Sequence, residues 1–498
     1  MEPASDGRVT TVDRLGALPP ELAHRILSPL SLADVTRLGS LSKSCRAFHL
    51  SNPIFNFTAL PSQSKRSFQK RLELLDSLDD FFTRRENSKI QSFSLNWVSE
   101  FHAAECELPS SYDVEKSRIT GLIQNAVSCD VESLNVFLKI SMLGDYIAKT
   151  KINFPTCVFE CESLRSLIVD MSCAVVKPPS SSSISKLVFL SLTNVTVKND
   201  RGFCKWVSFF CRFLKELVLQ NVSGLRNIPI ESTTLESFKV IECPSACHLE
   251  ISGDKLEDIH IDWKSGIPYR NSLKISAPNL KHLKWVGYLM KNLYMGEFHC
   301  LDEVEISLKL SYDFPNREGD YIRDCDKFLC SIRSVKVLIL DQSTLETIFR
   351  EGLPPAKLYN VWCLRMRIRG TFKDKLVPAV ASLFKGVPNL NTLDMSSISL
   401  IGTGTEAFGF SRGYWEAQDL DFISLLKEVT LELTNGSNGI ELAWYVLQHA
   451  QNLKKMIINY FPNLPHHSSF MKKLKRTRII SNAIVVFQEK AETSRTDY

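Results

Sequence analysis

LKELVLQ, residues Leu214–Gln220, places apolar side chains at its first, fourth and sixth positions. Leu217 and Leu219 alternate with Glu216, Val218 and Gln220, the period-two pattern of a strand with one buried and one exposed face. The element recurs along the chain. Further copies are LRSLIV at Leu164, LVFLSL at Leu187, LESFKV at Leu235, LEDIHI at Leu256, LKHLKW at Leu280 and LDEVEI at Leu301. VKVLIL at Val335, LNTLDM at Leu390, LKEVTL at Leu426 and LKKMII at Leu453 follow, with weaker copies IQSFSL at Ile90, VESLNV at Val131 and VWCLRM at Val361. From Leu187 to Leu301 the copies stand 27, 21, 21, 24 and 21 residues apart.

That spacing falls within the leucine-rich-repeat period of about 20–29 residues. Each copy buries its apolar row only against the next, so the array has to be long and contiguous. The asparagine that usually follows the strand stands at Asn194, Asn221 and few other places, so the array is irregular. Gaps such as Leu301 to Val335 imply longer connections. The expected fold is α/β: an irregular leucine-rich-repeat solenoid, with a curved parallel sheet, over residues 89–414.

Ahead of the array, Leu18 to Phe48 holds three short amphipathic stretches. Leu18, Leu22, Ile26 and Leu27 fall at helical spacing, and Val35, Leu38 and Leu41 form a second apolar stripe. Pro19 suits a first helical position, with Glu21 next to it where a carboxylate favours the helix dipole. So small a unit has too little core to cover all these faces alone. The run Leu18-Pro19-x-Glu21-Leu22, Ile26-Leu27-Ser28-x-Leu30 and Leu41-Ser42-Lys43-x-x-Arg46 resembles an F-box. Two positions depart from that family: Pro29 replaces a large apolar residue and Cys45 stands where Trp is usual. The resemblance implies docking on a Skp-family adaptor through Leu18, Pro19, Glu21, Leu22, Ile26, Leu27, Leu30, Val35, Leu38 and Leu41. It also implies that Cys45→Trp strengthens docking, unless overpacking reverses the sign.

Between these parts, Leu72, Leu75, Leu78 and Phe82 recur at helical steps and read as a helix covering the array's first apolar edge. At the other end, GIELAWYVLQHAQNLKKMIINY, Gly439–Tyr460, reads as a helix with Leu442, Tyr445, Val446 and Ala450 inward, then a repeat strand. AIVVF, Ala483–Phe487, reads as a closing edge strand. With KEVTLEL before it, this part resembles the FBD domain of plant F-box/LRR proteins, and the combined resemblance spans nearly the whole chain. The expected organisation is a disordered N-terminus over 1–12, F-box over 13–60, linker and capping helix over 61–88, repeats over 89–414, FBD-like cap over 415–488 and a disordered tail over 489–498.

Composition narrows the chemistry. A hydrophobic content of 44% excludes extensive disorder, and a net charge of +5 over 498 residues gives no argument for nucleic acid or an anionic membrane. The fourteen cysteines are scattered, without zinc-site spacing, and read as reduced core residues. The N-terminus lacks the apolar stretch of a signal peptide, and no run reaches the ~18 apolar residues of a membrane span. Gly402-Thr403-Gly404-x-x-Ala407 matches only the loosest dinucleotide fingerprint, and His466-His467 has no partner at ligand spacing. Lys472, Lys473, Lys475, Arg476 and Arg478 read as a solvated face of the last repeat. No cofactor, metal or catalytic residue is expected.

The reading is therefore non-enzymatic. The resemblance implies a substrate-recruiting subunit of a Skp–cullin–F-box ubiquitin ligase in the nucleus or cytoplasm, reaching cullin and RING subunits through the adaptor. The alternative is a leucine-rich-repeat scaffold whose altered F-box has no ligase role. Candidate substrate contacts are the outward strand residues Asp258, His260, Asp262, His282, Lys284, Glu303 and Glu305, acidic rows flanking a basic-leaning one. Such a mixed face suits a polar peptide or a folded partner.

Overall fold

The structure, a computed structural model, describes residues 17–27, 30, 32–59, 67–85, 88–101, 109–142, 151–172, 174–179, 185–264, 271–290, 292–309, 318–349, 357–397, 410, 412–433, 437–460, 474 and 479–490. The chain forms two compact units, Met1–Leu225 and Arg226–Tyr498. Pro29, the Gly402–Ala407 stretch, His466-His467 and the Lys472–Arg478 basic cluster lie outside the described residues.

The first unit opens with helices Pro20–Leu27, Leu32–Gly39 and Lys43–Ser51. The chain then enters strand Ile54–Ala59 almost at once. This strand pairs in parallel with Ser92–Phe101, which pairs with Ser133–Met142 and so on through Ser166–Met171, Phe189–Thr193 and Glu216–Gln220. In the second unit the parallel ladder runs from Ser237–Ile241 through Asp258–Trp263, His282–Tyr288, Glu303–Lys309, Val337–Asp341 and Cys363–Ile368. It continues with Thr392–Ser397, Glu428–Leu433, Lys455–Tyr460 and the edge strand Ile484–Glu489. Every copy of the repeat element forms one of these strands, and the final one is the closing strand expected over Ala483–Phe487. Ile54–Ala59, inside the segment assigned to the F-box, is a strand the repeat pattern did not mark.

Through the central repeats the alternation holds, with Leu217, Leu219, Phe238, Val240, Ile259 and Ile261 buried, whereas Val337–Asp341 is buried on both faces. What closes each repeat depends on its length. The copies at Leu235, Leu256 and Leu280, spaced by 21 to 24 residues, return through second strands His248–Ser252, Ser272–Ser276 and Asn292–Met295. With Asn227–Glu231 these form a separate four-stranded parallel sheet. From Leu301 on the spacing is 26 to 36 residues, and helices Glu318–Ser331, Gln342–Ile348, Val377–Gly386 and Asn438–His449 take over. A helix advances 1.5 Å per residue against about 3.3 Å for a strand, so crossing the same distance takes twice the residues. Repeat length therefore selects the return element.

Side chains extend the ladder. Asn194 (φ 57°) and Asn221 (φ 49°) adopt the left-handed conformation after their strands. Asn221 donates to Asn194 at 2.6 Å, and Asn194 donates to Asp170 at 2.7 Å. In the second unit a different asparagine does this, the residue just before the opening apolar position. Asn279, Asn360, Asn389 and Asn452 donate to the carbonyls of Asp254, Arg333, Tyr359 and Ser424 at 2.7, 3.2, 2.8 and 2.7 Å. In these four repeats the asparagine contact between neighbouring repeats lies before the strand instead of after it.

Candidate functional site

The three N-terminal helices divide the ten candidate residues into two groups. Ala23, Leu27, Val35 and Phe48 form a small buried core, with Leu18 and Leu38 packed against it. Leu22 and Ile26 precede Ala23 and Leu27 by one residue each, a rotation of about 100° on a helix that turns them away from this core. They are 50% and 54% exposed, Leu30 is 40% and Leu41 is 73% exposed. Pro19 and Glu21 are exposed as well. Leu18, Leu27, Val35 and Leu38 thus hold the unit together, while Leu22, Ile26, Leu30 and Leu41 are left uncovered.

Cys45 belongs to the interior. Its side chain is buried, and its backbone N–H donates to the Ser42 hydroxyl at 3.0 Å, which caps the third helix. A tryptophan there would have to displace its neighbours. Cys45→Trp is therefore expected to lower thermal stability by about 1–3 kcal/mol, measurable by calorimetry on the isolated chain.

Arg85 locks the helical unit to the first strand. Its Nη1 donates to the carbonyls of Leu50 and Asn52 at 2.7 Å each, and Nε and Nη2 donate to the carbonyls of Ser88 and Lys89 at 3.0 and 2.8 Å. The guanidinium lies 4.7 Å from the Phe55 ring centroid. Burial lowers its pKa to about 10, which still leaves it charged at neutral pH. Pro53 accepts backbone N–H groups from Gln91 and Ser92 at 2.8 and 3.0 Å, so the sheet begins within a few residues of the third helix.

Two histidines respond to this charge. Burial, and then the Arg85 guanidinium, lower the pKa of His24 and of His49 below 6.5. The unfolded chain therefore binds more protons than the folded one as pH falls through 6.5 towards the folded values. Their contribution to stability is complete above 6.5 and declines below it. The melting temperature is expected to drop between pH 7.5 and 5.5, and by less in His24→Gln with His49→Gln.

The strand face brings the other candidates together. Asp258, His260 and Asp262 lie in register with His282, Lys284 and Val286, which lie in register with Glu303, Glu305 and Ser307. Their charges are largely matched within the face. Arg367 reaches across strand Val337–Asp341 to Glu305 at 2.6 Å, Arg365 lies 3.6 Å from Glu303, and Lys284 lies 3.4 Å from Glu305. Lys264 holds Asp262 at 2.9 Å, and Ser237 donates to Asp258 at 3.0 Å. Burial and Lys284 lower the His260 pKa against the pull of Asp262, Asp258 and Glu305. Arg365 and Arg367 escaped the sequence reading because they bridge from two strands away. The alternation in CLRMRI, which puts both arginines outward, was the available signal. Among the described residues no cluster of His, Cys, Asp and Glu has metal-binding geometry, and no helix is long and apolar enough to cross a membrane.

Comparison with known proteins agrees with this architecture. The family described as At1g61320/AtMIF1, LRR domain, matches residues 98–498, and the chain belongs to it. The chain is similar to the putative F-box/FBD/LRR-repeat protein At4g03220 of Arabidopsis thaliana, 24% identical over 481 residues, covering 90% of this chain and 89% of the relative. F-box/FBD/LRR-repeat protein At1g78750 of the same plant is 25% identical over 510 residues, covering 98% and 99%. F-box/LRR-repeat protein 13, also from Arabidopsis thaliana, is 23% identical, covering 90% and 89%. Over nearly its full length the chain is thus similar to plant proteins named for an F-box, an FBD and leucine-rich repeats.

Proposed function

We propose that the chain is the substrate-recruiting subunit of a Skp–cullin–F-box ubiquitin ligase. The observation that carries this reading is the set of exposed apolar side chains Leu22, Ile26, Leu30 and Leu41 on a three-helix unit that has its own separate core. Uncovered aliphatic residues of this kind are what a docking adaptor would bury. The repeat units would hold the protein target through their strand faces, and the cullin and RING subunits reached through the adaptor would carry the chemistry. This chain's contribution would be proximity, raising the effective concentration of target at the ligase to roughly mM. The proposed place of action is the nucleus or cytoplasm.

The test is affinity purification of the tagged chain under proteasome inhibition, with a chain deleted for residues 13–60 as control. Recovery of a Skp-type adaptor only with the full chain, and of ubiquitinated partners that depend on that segment, supports the proposal. A full chain that recovers partners but no adaptor fits the scaffold alternative. Reversing Asp258, Asp262, Glu303 and Glu305 to Lys is expected to stop target capture while adaptor recovery persists. Because Glu303 and Glu305 hold Arg365 and Arg367, a melting curve of this variant belongs beside the capture result.

A further inference from the structure

We propose that the edge of the second unit where its strands begin is a docking ledge for an acidic peptide segment that carries one apolar anchor. The proposal deepens the recruiting role above by naming a class of recruited segment, and it rests on that role only for its biological use.

The ledge is defined by backbone geometry. In consecutive repeats the residue after the opening apolar position is Lys336, Trp362, Asn391, Lys427 and Lys454. The Trp362 N–H donates to the Lys336 carbonyl at 3.1 Å, Asn391 to Trp362 at 3.0 Å, Lys427 to Asn391 at 2.8 Å and Lys454 to Lys427 at 2.8 Å. These residues therefore stand side by side along one edge. Upstream on the same edge the charges are consumed: Lys281 binds Glu257 at 2.8 Å and Lys336 binds Asp302 at 2.6 Å. Downstream the pattern changes. Lys427 and Lys454 are exposed, and no ion pair joins either to a carboxylate among the described residues.

An apolar surface adjoins these lysines. Trp362 is 44% exposed, and Tyr359 in the same turn is 61% exposed. Leu425, which takes the place of the laddering asparagine in its own repeat, is exposed as well. An aromatic pair at one end and two free ammonium groups at the other ask for opposite properties of a ligand. Neighbouring strands lie about 4.8 Å apart, so Lys427 stands ~10 Å and Lys454 ~14 Å from Trp362 along the edge. An extended peptide advances about 3.3 Å per residue, and three to four residues cover that distance. Side chains of an extended chain alternate sides, so the fitting segment has an aromatic or aliphatic side chain with Asp or Glu four positions away, on the same side and between the two lysines.

Charge complementarity favours a peptide over a nucleic acid. Glu428 is in register with Lys455 beside the two lysines, and Asp421 lies 3.8 Å from Lys357. A phosphate backbone, charged at every nucleotide, would meet these carboxylates, whereas a peptide can place its acids only opposite the lysines.

The experiment pans a display library of random ten-residue peptides on the full chain, then measures a selected peptide by fluorescence polarisation. Enrichment of an apolar residue with an acid four positions away is expected. Affinity should fall at least tenfold in Lys427→Glu with Lys454→Glu and about fivefold in Trp362→Ala, and it should weaken as salt rises. Should the charge-reversed variant melt early, Lys427→Gln with Lys454→Gln replaces it. The proposal is overturned if enriched peptides carry no acidic excess, if they bind the double variant within twofold of the unaltered chain, or if a ten-residue thymidine oligonucleotide binds more tightly than they do. Adaptor recovery should be unchanged in all these variants. A chain that binds the peptides but no adaptor would end the ligase reading and leave the ledge standing.

Discussion

Leu22→Asp with Ile26→Asp is expected to abolish recovery of a Skp-type adaptor without lowering the melting temperature. Both side chains are at least half exposed in the free chain, so a carboxylate at either place stays in water and costs the fold little. In a complex both would be buried. Fully burying a Leu or Ile is worth about 1.5–3 kcal/mol, and about half of each side chain is left to cover, so the two together give roughly 1.5–3 kcal/mol, on the order of ten- to two-hundred-fold in affinity. Burying an unpaired carboxylate adds to that loss. Pro19→Ala with Leu22→Ala, which removes one anchor and the helix start, should weaken capture less. Leu27→Ala provides the contrast. It is one residue from Ile26 yet lies in the small core with Ala23, Val35 and Phe48, so it should cost about 2–5 kcal/mol of stability. Adaptor capture that survives the double aspartate variant would show that Leu22 and Ile26 are not the docking surface.

The same residues show how far the sequence could be read. Helical spacing identified Leu22, Ile26, Leu27, Val35 and Leu38 as apolar stripes, but an interface and a core use the same residue types. Only the packing separates Leu27 from Ile26. The array was legible because a buried row has to recur in every repeat, so Leu217, Phe238 and Ile259 repeat one solution to one constraint. The second sheet was not legible. His248–Ser252 and Ser272–Ser276 alternate like strands, yet their placement depends on having too few residues for a helix, which is a property of spacing rather than of pattern. The strand-face candidates landed on one face because alternation fixes direction. Their neutralisation did not show, since Arg365 and Glu303 are far apart in sequence and meet only across an intervening strand.

Glu115→Ala is expected to destabilise the first unit by about 3–5 kcal/mol, the cost of breaking a buried ion pair by removing one member. Arg71, on helix Ser67–Arg84, donates through Nε and Nη2 to the two Glu115 oxygens at 3.0 and 3.3 Å, and Trp97 donates its indole N–H to the same carboxylate. The Arg71 and Glu115 side chains are 9% and 2% exposed. The carboxylate therefore ties helix Pro109–Ser128 to the preceding helix and to strand Ser92–Phe101, and alanine removes an acceptor from both the guanidinium and the indole N–H. For a unit of this size the loss corresponds to roughly 6–20 °C in melting temperature. Arg71→Leu with Glu115→Leu should recover much of it, because a buried pair replaced by apolar side chains of similar volume is often neutral or better. The Trp97 N–H, which loses its carboxylate acceptor, limits that recovery by about 1–3 kcal/mol, and adding Trp97→Phe should restore more. The F-box helices belong to the same compact unit as this pair. Glu115→Ala should thus lose adaptor capture only as the unit melts, whereas the aspartates at Leu22 and Ile26 lose it at every temperature. Capture measured across a temperature series separates a surface that binds from a core that holds the surface in place.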